Sequence, residues 1–307
     1  FKYSMTDELS DETYLGLTDA DFSENPLRRY RATALDEMDA DHSQIMLSYA
    51  AKLNDNMSLA VVGYSNDFAR NWYKLNKVNG MSLSSITKPT ADGWNEFYIL
   101  MNAENSADDA YRIKANNREY YSSGIQAVFN VLAGDHDIQA GLRIHSDEMD
   151  RFQWEDRYGM QSGQLVMTTQ ATKGSDSNRI DSAEATALFV EDRFTTGAMT
   201  ITAGARYEEI TVKRDDWGKT DPDRSETPSK REHTIDVVVP GIGIEYAINE
   251  SQTVSVGIHK GFAPPGPGTS GVTDKAVDPE TSMNTEIGFK SNKGCLLYTS
   301  PSPRDDT

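Results

Sequence analysis

Apolar residues recur at every second position in about ten segments of the chain, the period of a β-strand with one apolar face. In 43–53 the apolar set is Ile45, Leu47, Tyr49, Ala51 and Leu53, and Gln44, Ser48 and Lys52 oppose it. The same alternation runs through 121–131 (Ile125, Ala127, Phe129, Val131), 138–144 (Ile138, Ala140, Leu142, Ile144) and 199–207 (Met199, Ile201, Ala203, Ala205, Tyr207). It returns in 240–248, in Val254, Val256 and Ile258, and in Ile287 and Phe289. The other face of each strand is small or polar. A water-soluble sandwich and a membrane barrel with a polar lumen share this pattern.

The connections separate the two. Short turns are predicted at Asn54-Asp55, Gly134-Asp135, Thr195-Thr196-Gly197 and Asn249-Glu250-Ser251. Long polar connections are predicted over 76–117, 147–178 and 215–233, the last containing a mobile stretch from Lys219 to Arg231. Connections of that length are uncommon in compact domains. Short turns at one end and long loops at the other are what an outer-membrane barrel requires. Trp72 and Tyr73, with Phe152 and Trp154, are expected at the strand ends as interfacial aromatics.

Composition agrees. The 307 residues carry a net charge of −18, with 37% hydrophobic and 25% charged residues. That apolar share is low for a large soluble core but suits alternating strands joined by polar loops. No run approaches the roughly 18 apolar residues of a membrane helix, which leaves strands as the means of crossing. The acidic balance argues against a nucleic-acid partner. The chain starts at Phe1 with no leader, so it is expected to begin in mid-protein or after a removed signal peptide. Its single cysteine, Cys295, opens a segment running to Asp305 that resembles the translation of a transposase adapter used in sequencing libraries. The expected division is therefore a partial barrel over 1–294 and a non-native tail over 295–307.

Catalytic and metal-binding constellations are not found in the sequence. The five histidines (His42, His136, His145, His233, His259) show no ligand spacing. His145 and Ser146 are neighbours on one strand, so they point to opposite faces and cannot act as base and nucleophile. Arginines carry the candidate chemistry. Arg28 and Arg29, with Arg31, lie in the first long loop; Arg70 lies near an upper strand end; Arg143 and Arg206 face the polar side of their strands. A guanidinium fork suits an anionic chelate. The same residues also have many Asp and Glu neighbours with which to pair.

Several pieces, taken in order, resemble the TonB-dependent outer-membrane receptors of the ferric-dicitrate and siderophore type. They include 12–18 (Glu-Thr-Tyr-Leu-Gly-Leu-Thr), Asn25-Pro26, Arg28-Arg29-Tyr30, Asn66-Asp67-Phe68, Trp72-Tyr73-Lys74-Leu75, Ala140-Gly141-Leu142-Arg143, 203–208 (Ala-Gly-Ala-Arg-Tyr-Glu), 260–265 and 278–290. The resemblance implies an all-β fold: an antiparallel up-and-down transmembrane β-barrel, here incomplete, with about ten strands of 22 and no plug domain. It implies a receptor rather than an enzyme, no cofactor, and iron carried only as a chelated substrate. It further implies a ferric chelate, outer-membrane lipid and the TonB complex, reached through a plug domain, as partners in a Gram-negative cell. A receptor for cobalamin or a glycan, or a passive porin-like barrel, fits the same strand pattern.

Overall fold

The computed structural model describes residues 1–267, 277–293 and 296–298. Of the expected tail, only 296–298 falls within them; the rest of 295–307 lies outside. One antiparallel sheet dominates. Its long strands are β1 (Lys2–Ser10), β2 (Glu37–Asn54), β3 (Met57–Val78), β5 (Tyr111–Ala133), β6 (His136–Gln161), β8 (Ser177–Thr196), β9 (Met199–Asp216), β10 (Ser229–Asn249), β11 (Gln252–Ala263) and β12 (Glu280–Lys293). Three short strands, β4 (Met81–Ser82), β7 (Gln164–Thr169) and β13 (Leu296–Tyr298), pair with β3, β6 and β12. Each long strand pairs with its neighbours in chain order, as up-and-down topology demands.

Pairing places the apolar sets on one side. Ile45 faces Ser65, Tyr49 faces Val61, Leu59 faces Phe129, Ala127 faces Leu142, Leu142 faces Leu188 and Leu188 faces Tyr207. These side chains are not buried within the protein: Leu47 is 61% exposed, Leu188 53% and Ile287 81%. A continuous apolar face of this size does not stand in water; lipid is its natural medium. The opposite face carries Gln44, Asn66, Gln126, Arg143 and Glu208 and is the lumen side.

The tilt of the strands can be read from the turns. The β2–β3 hairpin closes at Asn54 and Met57, and Met57 pairs with Val131. The next hairpin closes two residues lower, at Ala133 and His136. His136 pairs with Phe194, and β8–β9 again closes two residues lower, at Thr196 and Met199. A two-residue step per hairpin is a shear of one residue per strand. With a rise of about 3.3 Å along the strand and about 4.8 Å across it, the tilt is about 35°. The apolar belt steps down the sheet with the turns, from 45–53 on β2 to 254–258 on β11, and so stays level in the membrane.

Beyond the belt the strands continue, and here two expectations fail. Segment 147–178 is not a polar loop: β6 runs on to Gln161 and turns into β7. Segment 76–117 gives up both ends to β3 and β5 and holds two helices, α2 (Leu83–Ile86) and α3 (Trp94–Met101). Above the belt the sheet is wet or covered by connections rather than lipid. Apolar positions such as Tyr111, Ile113, Tyr158 and Met160 are buried under those connections, and charged residues between them give the stretch a loop-like composition while the backbone ladder persists. Another short helix, α1 (Asp19–Glu24), lies in connection 11–36. Tyr30 and Ala32 from that connection pack with Ile86, Phe97, Met101, Leu75, Tyr111 and Ile113 in the largest buried cluster. The expected interfacial aromatics are occupied here too. Trp72 stacks on Tyr14, Tyr73 donates to Asp156 (2.8 Å), Phe152 lies under Arg224 and Trp154 under Lys173. Tyr3 and Tyr121 are among the exposed aromatics nearer the belt.

The face assignment predicts opposite outcomes for adjacent residues. Val256→Arg places a charge on the lipid side and is expected to cost about 2–4 kcal/mol near the midplane. Ser255→Arg, on the lumen side, is expected to cost far less. Denaturant unfolding in lipid bilayers measures both; equal losses would refute the assignment.

Candidate functional site

Register brings four arginines into one row. Arg70 on β3 pairs with Arg118 on β5, Arg118 with Arg151 on β6, and Arg151 with Arg179 on β8. All four belong to the lumen face and are half-buried. The row continues to Glu8, by way of Ala40, at one end and to Asp216 at the other. Directly paired residues on one face have Cβ atoms about 4.5–5.5 Å apart, and like charges at that spacing repel. Few carboxylates answer them. Asp181, in the next lumen-facing position of β8, pairs with Arg179 (3.2 Å) and with Arg214. Arg118 donates to Asn116 Oδ1 (3.1 Å) and to the Tyr120 hydroxyl (3.2 Å). The Arg151 Nε is buried without a partner.

The electrostatic consequences are visible at the row, which lies above the apolar belt. Burial, followed by the charges of Arg118 and Arg179, pulls Arg151 down to about 10. Burial alone would raise the Tyr120 phenol, but hydrogen bonds from Arg118 and Arg70 outweigh it and lower it. Beneath the row, Phe68 stacks on Tyr120 (5.6 Å between centroids), and His42 meets Phe68 edge-on. A row of donors with unmatched positive charge above an aromatic floor is suited to a planar, multiply charged anion.

One connection borders this row. Tyr14, in connection 11–36, stacks on Trp72 at 4.4 Å, and the Trp72 indole donates to the Glu12 carbonyl (3.1 Å). Buried Lys74 places its Nζ 3.0 Å from the Tyr14 ring centre and 3.6 Å from that of Trp72. Trp72 and Lys74 are the next two lumen-facing positions above Arg70. The far end of the connection is held by Asp36, which accepts the Leu75 N–H (2.7 Å) and is pushed up to about 6 by burial.

The arginines expected from sequence have separate fates. Arg70 stands in the row. Arg28 pairs with Asp21 (2.8 Å), and Arg29 donates to the Asp36 carbonyl and lies 3.6 Å from Asp11, so both serve the connection that holds them. Arg206 pairs with Glu208 on its own strand. Arg143 lies lower on the lumen face and donates to the Tyr64 hydroxyl (2.8 Å). Ser146 and His145 do point to opposite faces: His145 contacts Tyr64 and Asp147, and Ser146 contacts Ser123. Arg118, Arg151 and Arg179 carry no distinguishing signal in the sequence. Arg151 lies in 147–178, which the sequence predicts to be a loop, and the row exists only once four strands are in register.

Comparisons with known proteins agree with the fold. The family model described as TonB dependent receptor-like, beta-barrel matches residues 3–300. No curated protein sequence matches the chain. Among solved structures, the ferric citrate transporter FecA in its unliganded form superposes with a TM-score of 0.63 at 18% identity, over 92% of this chain and 36% of that one. The siderophore receptor PiuA from Acinetobacter baumannii gives 0.61 at 13% identity, over 83% and 38%. The ferric-catecholate import receptor Fiu from E. coli K12, in its open form, gives 0.61 at 14% identity, over 94% and 46%. The chain thus spans less than half the length of each.

The clamp on Lys74 yields a test. Burial, then the charges of Lys114 and Arg118, lowers Lys74 to about 7. The clamped state therefore binds fewer protons than the open one wherever pH lies between that value and the ordinary lysine value. Clamp stability is expected to rise as pH climbs through this window and to be lowest below it. Hydrogen exchange of 11–18, corrected for base catalysis, should show protection increasing from about pH 6.5 to about pH 9. Lys74→Met should flatten the dependence; a flat profile in the unaltered protein would discard this account.

Proposed function

The chain belongs to the TonB-dependent receptor β-barrel family, and on that premise we propose that it forms part of an outer-membrane receptor for TonB-coupled uptake of an anionic ferric chelate. The row Arg70–Arg118–Arg151–Arg179 carries this reading. Four like charges in direct register raise the energy of the empty lumen face. A polycarboxylate iron complex, ferric citrate above all, supplies several negative oxygens on a compact body and relieves that repulsion. Phe68 and Tyr120 give it an apolar and hydrogen-bonding floor. Iron here is cargo inside its chelator, and nothing covalent happens to it.

Release toward the periplasm requires the two states of the receptor to differ in affinity for the chelate. The family supplies that difference through the TonB complex, and this chain's part is to present the arginines. The chain's overall charge of −18 does not favour anions at long range. Screening limits such effects to about 8–10 Å, so the row acts at contact distance.

A charged hydrogen bond is worth about 1.5–3 kcal/mol, or roughly 10- to 150-fold in affinity. Arg118→Gln and Arg151→Gln are each expected to weaken ferric citrate binding by a factor in that range, read by intrinsic fluorescence quenching in detergent. Arg28→Ala and Arg29→Ala, whose guanidinium groups already serve loop carboxyl and carbonyl oxygens, are expected to change affinity much less. Unaltered binding in both row variants would remove the row from the site.

A further inference from the structure

Outside the row, the lumen face holds another arginine without a carboxylate partner among the described residues. Arg143 lies eight residues from Arg151 along β6, about 26 Å at the usual strand rise. Its guanidinium donates to the Tyr64 hydroxyl at 2.8 Å and lies 5.8 Å from the Tyr64 ring centre. The Tyr64 oxygen is also 2.6 Å from His145 Nδ1, and His145 Nε2 is 3.3 Å from Asp147. With a neutral imidazole the bonds run one way. Arg143 donates to Tyr64, Tyr64 donates to Nδ1, and the Nε2–H donates to Asp147.

This arrangement requires a specific vacancy. Tyr64 is on β3 and His145 on β6, with β5 between them. The Tyr64 ring crosses β5 at Gly124, where an added Cβ would lie 2.5 Å from the hydroxyl oxygen. Only glycine at that position lets the bond form.

We propose that Arg143, Tyr64 and His145 form a second, proton-linked station for a carboxylate anion on the lumen face, below the arginine row. A phenol hydroxyl accepts two hydrogen bonds and donates one. When a proton enters Nδ1, His145 becomes a donor, and Tyr64 then accepts from both Arg143 and His145. Its own O–H is released from the internal chain and turns to the lumen. An anion there meets the Tyr64 O–H, the unused N–H groups of Arg143 and one added positive charge. One proton is taken up as one anion binds, so affinity rises as pH falls.

The surroundings are compatible with this exchange. In the Arg143 row, β5 contributes Gln126, β8 Ala187 and β9 Glu208, which Arg206 already holds. In the Asp147 row, Ser122, Asn66 and Gln44 lie on one side, and Ala183, Val212 and His233 on the other. His233 lies three strands away in the Asp147 row, and its Nε2 is buried without a partner. Counting Asp147, the charges facing the station sum to no excess of acid that would repel a carboxylate from Arg143.

The station is separable from the upper row by experiment. The intact receptor in detergent micelles, with 15N-labelled histidine, is titrated with metal-free citrate at about pH 5.5 and about pH 7.5. The His145 ring signals should move saturably, with affinity about tenfold or more tighter at the lower pH. Tyr64→Phe, which keeps the ring, and Arg143→Gln should abolish the movement. Arg118→Gln, which tests the upper row, should leave it in place. Gly124→Ala should break the Tyr64–His145 bond and remove the pH dependence. The proposal is overturned by His145 signals that citrate does not move, by equal affinity at the two pH values, or by unchanged binding in Tyr64→Phe.

Discussion

In lipid, no water is available to satisfy a backbone N–H or C=O, so each strand must be laddered to a neighbour along its whole depth. The rest of this structure follows from that demand. The ladder fixes which residue stands opposite which, and side chains alternate with a period of two. One register therefore decides both faces at once. A slip of one residue in β5 would turn Ile125, Ala127 and Phe129 into the lumen and Gln126 into lipid. The apolar belt penalises such a slip, and in doing so it holds Arg118 beside Arg70 and Arg151. The arginine row is located by hydrophobic residues seven or more positions away along β5 and β6.

This explains which parts were legible in the sequence. Strands whose lipid face is uniformly apolar, such as 43–53 and 240–248, announce themselves by alternation. So do the hairpin turns at Gly134-Asp135 and Thr195-Thr196-Gly197. β3 is less evident because Ala60 and Val62 are apolar on the lumen face and Gly63 and Ser65 interrupt the other. Above the belt, Phe152, Trp154, Tyr158 and Met160 still alternate, but Asp156 and the flanking charges mask the pattern, and that strand is held by pairing with β5, β7 and β8. The candidate site was only partly legible for the same reason. Arg70 and Arg143 could be placed on a polar face one at a time. That four arginines meet is a property of four registers together, and no single segment records it. The arginine pair Arg28-Arg29 was conspicuous in sequence, yet the structure uses it to tie a connection to Asp21, Asp11 and Asp36.

Two connections allow the row to exist. Like charges in register would normally bend or fray the strands that carry them. Here the strands are braced just above the row by the cluster of Tyr30, Phe97, Met101, Leu75, Tyr111 and Ile113. Trp72 and Lys74 are held under Tyr14, and Leu75 is tied to Asp36. Below the row the membrane belt does the same work. Repulsion is thus confined between two rigid layers, where it raises the energy of the site without opening the sheet.

The alternation of charge through the sheet offers a further offset. Arg118 is followed by Glu119, and Asp150 precedes Arg151; Glu119 and Asp150 face each other on the outer side. Arg118 and Arg151, the two inner members of the row, thus each have a carboxylate behind them, separated by the backbone. At a distance of roughly 10 Å the attraction is weak in water and stronger where the sheet itself is the intervening medium. It lowers the cost of assembling the row but cannot satisfy its hydrogen bonds, because the carboxylates point away. An anion arriving from the lumen meets donors whose charge is partly compensated and whose N–H groups are not. That distinction favours a ligand with several oxygen acceptors over a simple counter-ion, and it follows from period-two geometry alone.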